Sequence, residues 1–182
     1  MKELSLHILD IAKNSVKAKA SLIEICVNED EKKNLLTIDI NDNGCGMSKE
    51  FLKNVKDPFS TTRTTRKVGM GISLFEAAAM QCGGKLDIDS EEGVGTKMCV
   101  TFLYNHIDRA PLGDMAGTME TLISGSPEID FLYRHTKNGE TFVLDTRELR
   151  NVLGDVPLDL PEVVMWIDGY IKEGLGEINA IN

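Results

Sequence analysis

The sequence has no apolar run approaching the ~18 residues that a membrane-spanning helix requires. Its start, Met1-Lys2-Glu3-Leu4-Ser5, leads into neither a long apolar stretch nor a small-residue cleavage site, so a cytoplasmic protein is expected. Excess positive charge is missing as well. Twenty Lys and Arg stand against 29 Asp and Glu, for a net charge of −9, which argues against a direct nucleic-acid binder. The four cysteines, Cys26, Cys45, Cys82 and Cys99, form no Cys-x-x-Cys pair and have no His at metal-ligand spacing. Reduced, partly buried thiols are expected rather than a disulfide or a metal site. Internal repeats and low-complexity tracts are absent too. What remains is an ordinary folding composition, 42% apolar and 27% charged over 182 residues, enough for one full domain with a small appendage.

The acidity is unevenly spread. Residues 1–105 carry 14 basic and 15 acidic side chains, whereas residues 106–182 carry 6 and 14. A loop rich in turn residues, His106 to Gly117, separates the two parts. The expected organisation is a domain over 1–105 and an acidic extension over 106–182, a β-hairpin plus helices forming at most a small subdomain.

Apolar residues at helical spacing, Leu9, Ala12 and Val16, predict a helix from Leu4 to about Lys19. Strands are expected over Leu22–Val27 and Leu35–Ile40, joined by a polar turn Asn28–Asn34. Further along come a Ser48-capped helix to Asn54, a helix from about Met70 to Gln81, and strands Lys85–Asp89 and Thr96–Leu103. In the extension, Ile129–His135 and Thr141–Asp145 flank Asn138-Gly139, a strong hairpin signal. Leu160, Val163, Val164, Ile167 and Ile171 mark a last helix, with Trp166 and Tyr170 either part of its buried face or a docking surface. Hairpin-like neighbours among interleaved helices predict an α/β fold with a mixed sheet.

The chemistry starts on the first helix, where His7, Asp10, Asn14 and Lys17 recur along one side. Taken alone, that stripe is most simply a solvated face. Its functional alternative makes Asn14 an oxygen ligand for Mg²⁺, Asp10 a base, and Lys17 a phosphate contact. Asp42-Asn43-Gly44-Cys45-Gly46-Met47 is either a plain turn or an adenine reader, with the Asp42 carboxylate accepting from the exocyclic amine. The next segment places Thr61, Thr62, Arg63, Arg66 and Lys67 ahead of Gly69-Met70-Gly71-Ile72-Ser73-Leu74. Hydroxyls, cations and amides at a helix start are what a polyphosphate needs. Neither a Walker motif nor a three-glycine dinucleotide fingerprint is present. Gly95-Thr96 supplies one further hydroxyl at the start of a strand.

In this order the four pieces resemble the GHKL superfamily of DNA gyrase, the large heat-shock chaperones, histidine kinases and MutL proteins. The resemblance spans residues 6–103. It implies a Bergerat-type two-layer sandwich, helices over a mixed sheet, binding ATP with Mg²⁺ beneath a lid. By the resemblance Asn14 is the magnesium ligand and Asp42 the adenine carboxylate. Gly44, Gly46 and Met47 form the turn beside the base, and Thr96 is the hydroxyl near it. Gly69, Gly71 and the amides after them match the phosphate-binding end of the lid, which the Thr61 to Lys67 segment leads into, while Lys17 is a phosphate contact on the first helix. Asn14 to Ala20 is similar to the MutL version, whereas Pro58 to Arg63 and Gly69 to Leu74 look more like histidine kinases.

Members that hydrolyse ATP generally carry Glu where this chain has Asp10, one methylene shorter. A displacement near 1 Å costs roughly 10²-fold in rate, so slow turnover is expected. His7 lies in the wrong helix to accept a phosphoryl group, and His106 and His135 are expected to be ordinary polar residues. The resemblance implies a slow ATPase, or a protein kinase of the anti-sigma or histidine-kinase type. The alternative is a non-catalytic module whose affinity for a protein partner is gated by nucleotide. The acidic extension fits a basic protein partner, the second half of a homodimer, or simply a solvated acidic surface.

Overall fold

The computed structural model describes residues 2–57 and 68–180. Helix α1 (Leu4–Lys17) is followed by strands β1 (Leu22–Asp30) and β2 (Leu35–Asp42), then α2 (Lys49–Asn54) and α3 (Val68–Gln81). Strands β3 (Lys85–Glu91) and β4 (Gly95–Leu103) come next, then α4 (Met115–Gly125), β5 (Asp130–Lys137), β6 (Glu140–Asp145), α5 (Thr146–Leu153) and α6 (Pro161–Glu177).

The strands form one sheet in the order β3-β4-β2-β1-β5-β6, antiparallel throughout except where β5 runs parallel to β1. Strand alternation sends successive side chains to opposite faces. The row Ile88, Met98, Ile40, Ile25, Tyr133, Leu144 therefore faces the helices, and all but Ile88 are fully buried. Next to it, Asp87, Cys99, Asp39, Cys26, Arg134 and Val143 make a mostly polar row on the open face. Burial and the neighbouring Asp39 carboxylate push the Cys99 thiol up to about 12, so it stays protonated. Helix α1 packs on β2, α3 on β3 and β4, α6 on β6, and α4 bridges α1 and α6. This is the expected two-layer mixed-sheet architecture. All four cysteines are free.

Residues 106–182 add two strands and three helices to the sheet and helical layer that residues 1–105 begin. The loop between the two parts also caps α1. Its Pro111 and Leu112 carbonyls accept from the amides of Leu4 (3.0 Å) and Ser5 (2.7 Å), which have no partner within the helix. The Ser48 cap is present, its hydroxyl accepting from Phe51 N. Asn138 and Gly139 both adopt positive φ, as the two-residue hairpin requires.

Two expectations are corrected. The first hairpin is tighter than a turn over Asn28–Asn34, because Asn28, Glu29 and Asp30 continue β1 and pair with Thr37, Leu36 and Leu35. His135 is also no ordinary polar residue. It is completely buried, with Nδ1 2.6 Å from the Tyr133 hydroxyl and Nε2 2.6 Å from Glu29 Oε1. Burial raises the Glu29 carboxyl, but its hydrogen bond and charge contact with His135, together with Lys137, outweigh this and hold it below its ordinary range.

Candidate functional site

The C-terminal half of α1, the ends of β2 and β3, the start of β4 and the start of α3 surround two adjoining hollows. One, of about 450 Å³, is lined by Asn14, Asp42, Gly46, Met47, Ile72 and Thr96 among others. Its floor is apolar, from Ile11, Ile40 and Met98. The second, of about 320 Å³, is lined by Asp10, Lys13, Asn14, Lys17, Met70 and Gly71, with Leu74 beside them. Asn14 and Lys17 line both. An apolar slot with the Asp42 carboxylate in its wall suits a flat heterocycle, and a polar groove with two lysines suits an anion.

Asp42 is fixed from two sides. Its Oδ2 accepts from Ser15 Oγ at 2.5 Å, and its Oδ1 from Gly44 N at 2.9 Å. Ser15 follows Asn14 directly, so α1 supplies both the amide side chain and the hydroxyl that aims the acid. The Asn43 carboxamide holds the turn by accepting from Ser21 N (2.8 Å) and Leu22 N (3.0 Å). Glycine is required at two closely packed places. A Cβ on Gly46, at φ +68°, would be driven into the Glu91 carbonyl, and one on Gly95 into the Asp42 carbonyl. The space these glycines leave is filled by protein backbone, which locks the Asp42 turn against the β3–β4 hairpin.

Ser90, a residue the sequence did not single out, completes that lock. Its Oγ accepts from Met47 N at 2.8 Å, donates to the Gly95 carbonyl at 3.0 Å, and stands 2.8 Å from Thr96 Oγ1. A serine within a strand carries no sequence signal of such a role.

Asp10, Asn14 and Lys17 sit together as the stripe suggested, and among the described residues no side-chain hydrogen bond or ion pair engages them. His7 does not share their surroundings. It turns beneath α3, where its ring stacks on Phe75 at 4.9 Å and 6°, and its Nδ1 has no partner among the described residues. Burial, aided by the N-terminal charge and opposed by Asp10, lowers its pKa. The solvated reading of the stripe therefore fails at His7. On α3, Met70, Gly71 and Leu74 face the polar groove and Ile72 the apolar slot. Ser73 Oγ bonds back to the Met70 carbonyl at 3.0 Å, and Gly69 lies in the first turn of the helix. Thr61, Thr62, Arg63, Arg66 and Lys67 lie outside the described residues.

Among the described residues no cluster of three or more His, Cys, Asp or Glu side chains suits a metal. Asn14 and Asp10 offer a sparse oxygen donor set at the groove. Mg²⁺ takes such a set when substrate phosphates and water complete its octahedron, so these residues fit that ion. No helix among the described residues is long and apolar enough to cross a membrane.

The family model described as histidine kinase-, DNA gyrase B-, and HSP90-like ATPase matches residues 2–106. The chain is 30% identical to sporulation kinase D of Bacillus subtilis over 52% of its own length and 18% of that protein. It is 27% identical to the non-motile and phage-resistance protein of Caulobacter vibrioides over 60% of its length and 14% of that protein. It thus spans under a fifth of either relative. The Aquifex aeolicus MutL ATPase domain complexed with ADP superposes with a TM-score of 0.52 at 16% identity, covering 84% of this chain and 69% of that one. That likeness is one of fold.

Proposed function

The chain belongs to the histidine kinase-, DNA gyrase B- and HSP90-like ATPase family, and from that premise we propose that it binds ATP with Mg²⁺ and transfers the γ-phosphoryl group slowly, to water or to a protein hydroxyl. The reading treats residues 1–105 as the nucleotide-binding unit and 106–182 as an extension that serves a protein partner. The observation that carries it is Asp42, held by Ser15 and Gly44 at the wall of an apolar slot that opens beside Asp10, Asn14 and Lys17.

In this reading Asp42 accepts from the exocyclic amine of adenine, a charged hydrogen bond of about 1.5–3 kcal/mol. Ile11, Ile40, Ile72 and Met98 take the ring faces, and Thr96 stands at the ring edge. Lys17, the cations Arg63, Arg66 and Lys67, the hydroxyls of Thr61 and Thr62, and the amides from Gly69 to Leu74 receive the phosphates. Asn14 is the protein ligand for Mg²⁺, with Asp10 close by. Bound there, the ion would neutralise phosphate charge. Asp10 takes the proton of the attacking hydroxyl as its oxygen bonds to the γ-phosphorus and the bond to the β-phosphate oxygen breaks, leaving ADP. The short Asp side chain makes this step slow. Free thiols and dependence on ATP fit work in the cytoplasm.

Calorimetry with MgATP, paired with phosphate release by wild type and Asp10→Asn, tests the reading. Wild type is expected to bind and turn over, with the variant binding equally and releasing phosphate only at background. Absence of binding by wild type would overturn the reading. Equal release by both proteins would remove Asp10 from its role.

A further inference from the structure

Helices α5 and α6 converge on a groove of about 390 Å³ lined by Leu149, Val152, Leu153, Val163 and Trp166, with Glu162 at its edge. Leu149, Leu153 and Val163 are half-buried against the core, so the floor is fixed. The walls are not covered: Val152 is 84% exposed and Trp166 52%. Trp166 is the chain's single tryptophan. It stacks on Tyr170 at 4.9 Å and 9°, and Tyr170 in turn meets Phe142 at 5.2 Å. That aromatic column anchors the indole to the fold while leaving it open to solvent. Exposed anchors of this kind, set on rigid helices, are what protein interfaces use.

The charge around the groove selects the occupant. Residues 146–177 hold seven acids and three cations. Each cation is engaged by an acid: Arg147 by Asp145, Arg150 by Asp130, and Lys172 by Asp168. Among the described residues Glu148, Asp155, Asp159 and Glu162 have no cationic partner. An apolar channel with Glu162 in its lining, formed by a segment that carries these unneutralised acids, repels nucleic acid and anionic lipid. A second copy presenting the same face would set acid against acid. A helix with an apolar stripe flanked by Lys and Arg satisfies both features, its stripe filling the channel and its cations meeting Glu162, the neighbouring acids of α5 and α6, and the indole face. We propose that the α5–α6 groove docks a basic amphipathic helix of a partner protein. The proposal stands independently of the nucleotide site.

Trp166 makes the test direct, since its fluorescence reports the groove alone. The probe is a synthetic 18-residue amphipathic helix of Leu and Lys, with an isosteric Leu and Glu helix as control. The Lys peptide is expected to shift the Trp166 emission saturably, more weakly as salt rises, and the Glu peptide to leave it unchanged. Val152→Asp decides between groove docking and plain charge attraction. It adds an acid, so mere attraction would strengthen binding, whereas docking in the channel would weaken it by about tenfold or more. Val152 is too exposed for its replacement to unfold the chain, and circular dichroism checks this. A response that survives Val152→Asp, or equal responses to both peptides, would overturn the proposal. So would no response to either, anionic vesicles of phosphatidylglycerol shifting the emission, or a concentration-dependent dimer that Val152→Asp dissociates.

Discussion

Ser90 and Thr96 share a 2.8 Å hydrogen bond between their hydroxyls, and the other partners of Ser90 decide which of the two gives the proton. Ser90 already accepts from Met47 N, and its single proton goes to the Gly95 carbonyl, which can only accept. With the Ser90 proton on the Gly95 carbonyl, Thr96 donates to Ser90 and turns its lone pairs toward the slot. Asp42 is likewise an acceptor. Such a wall welcomes a 6-amino purine and offers no donor to a 6-oxo purine. Ser90→Ala releases the Thr96 proton, and the preference for ATP over ITP in competition binding is expected to narrow, roughly three- to tenfold, the worth of about one hydrogen bond. An unchanged ratio would remove Ser90 from specificity.

Asp42→Asn keeps the shape of the acid but brings an NH₂ to face an amine. ATP affinity measured by calorimetry is expected to fall by about ten- to a hundredfold, the equivalent of a charged hydrogen bond. Far-ultraviolet circular dichroism should be unchanged. Retained affinity would mean that the base lies elsewhere.

Gly46→Ala should act on both fold and site. A methyl there meets the Glu91 carbonyl at a positive φ, so the turn must open. Strain of this type costs about 1–3 kcal/mol. Urea denaturation should show that loss, accompanied by weaker ATP binding, whereas Gly93→Ala, also at a positive φ but with nothing within 4 Å of the added methyl, should cost less and leave binding intact.

His7 gives a pH dependence whose sign is fixed. Its folded pKa lies below the ordinary 6.5, so the unfolded chain binds the proton more readily. Stability is full above 6.5 and declines as pH falls from there toward the lowered value. His7→Phe keeps a ring to stack on Phe75 and removes the titration. The difference in melting temperature between pH 8 and pH 5 is expected to shrink in the variant, and an equal difference would assign the acid sensitivity to another group.

Much of this was legible in the sequence, for a local reason. The hairpins β1–β2 and β5–β6 and the helix α1 announce themselves within a dozen residues, through alternation, Asn-Gly, or helical spacing. Asp10, Asn14, Lys17, Asp42, Met47 and Thr96 were found by pattern, and the structure gathers them around two adjoining hollows. What was missed depends on partners far along the chain. Glu29 is drawn into β1 by a histidine 106 residues away. His7 shares a helix side with Asp10, yet periodicity cannot say that α3 covers one and leaves the other at a groove. Helix α4 was hidden because Gly117 and Gly125 argue against a helix, although Met115, Met119, Leu122 and Ile123 all enter the core. Helix α5 is only eight residues long and starts immediately after β6, with Asp145 serving as its cap.

The parallel seam between β1 and β5 ties the two unequally charged parts of the chain into one cooperative body. A chain cut at residue 105 would lose the carbonyls that receive the first amides of α1, strand Glu29 without its histidine, and leave the whole length of β1 as a raw edge. Such an edge recruits other strands, and aggregation or strand-swapped pairing is its ordinary fate. The helix that carries Asn14 is therefore braced by residues past the reach of the family match, and the acidic part of the sequence helps hold the slot beside Asp42 in register.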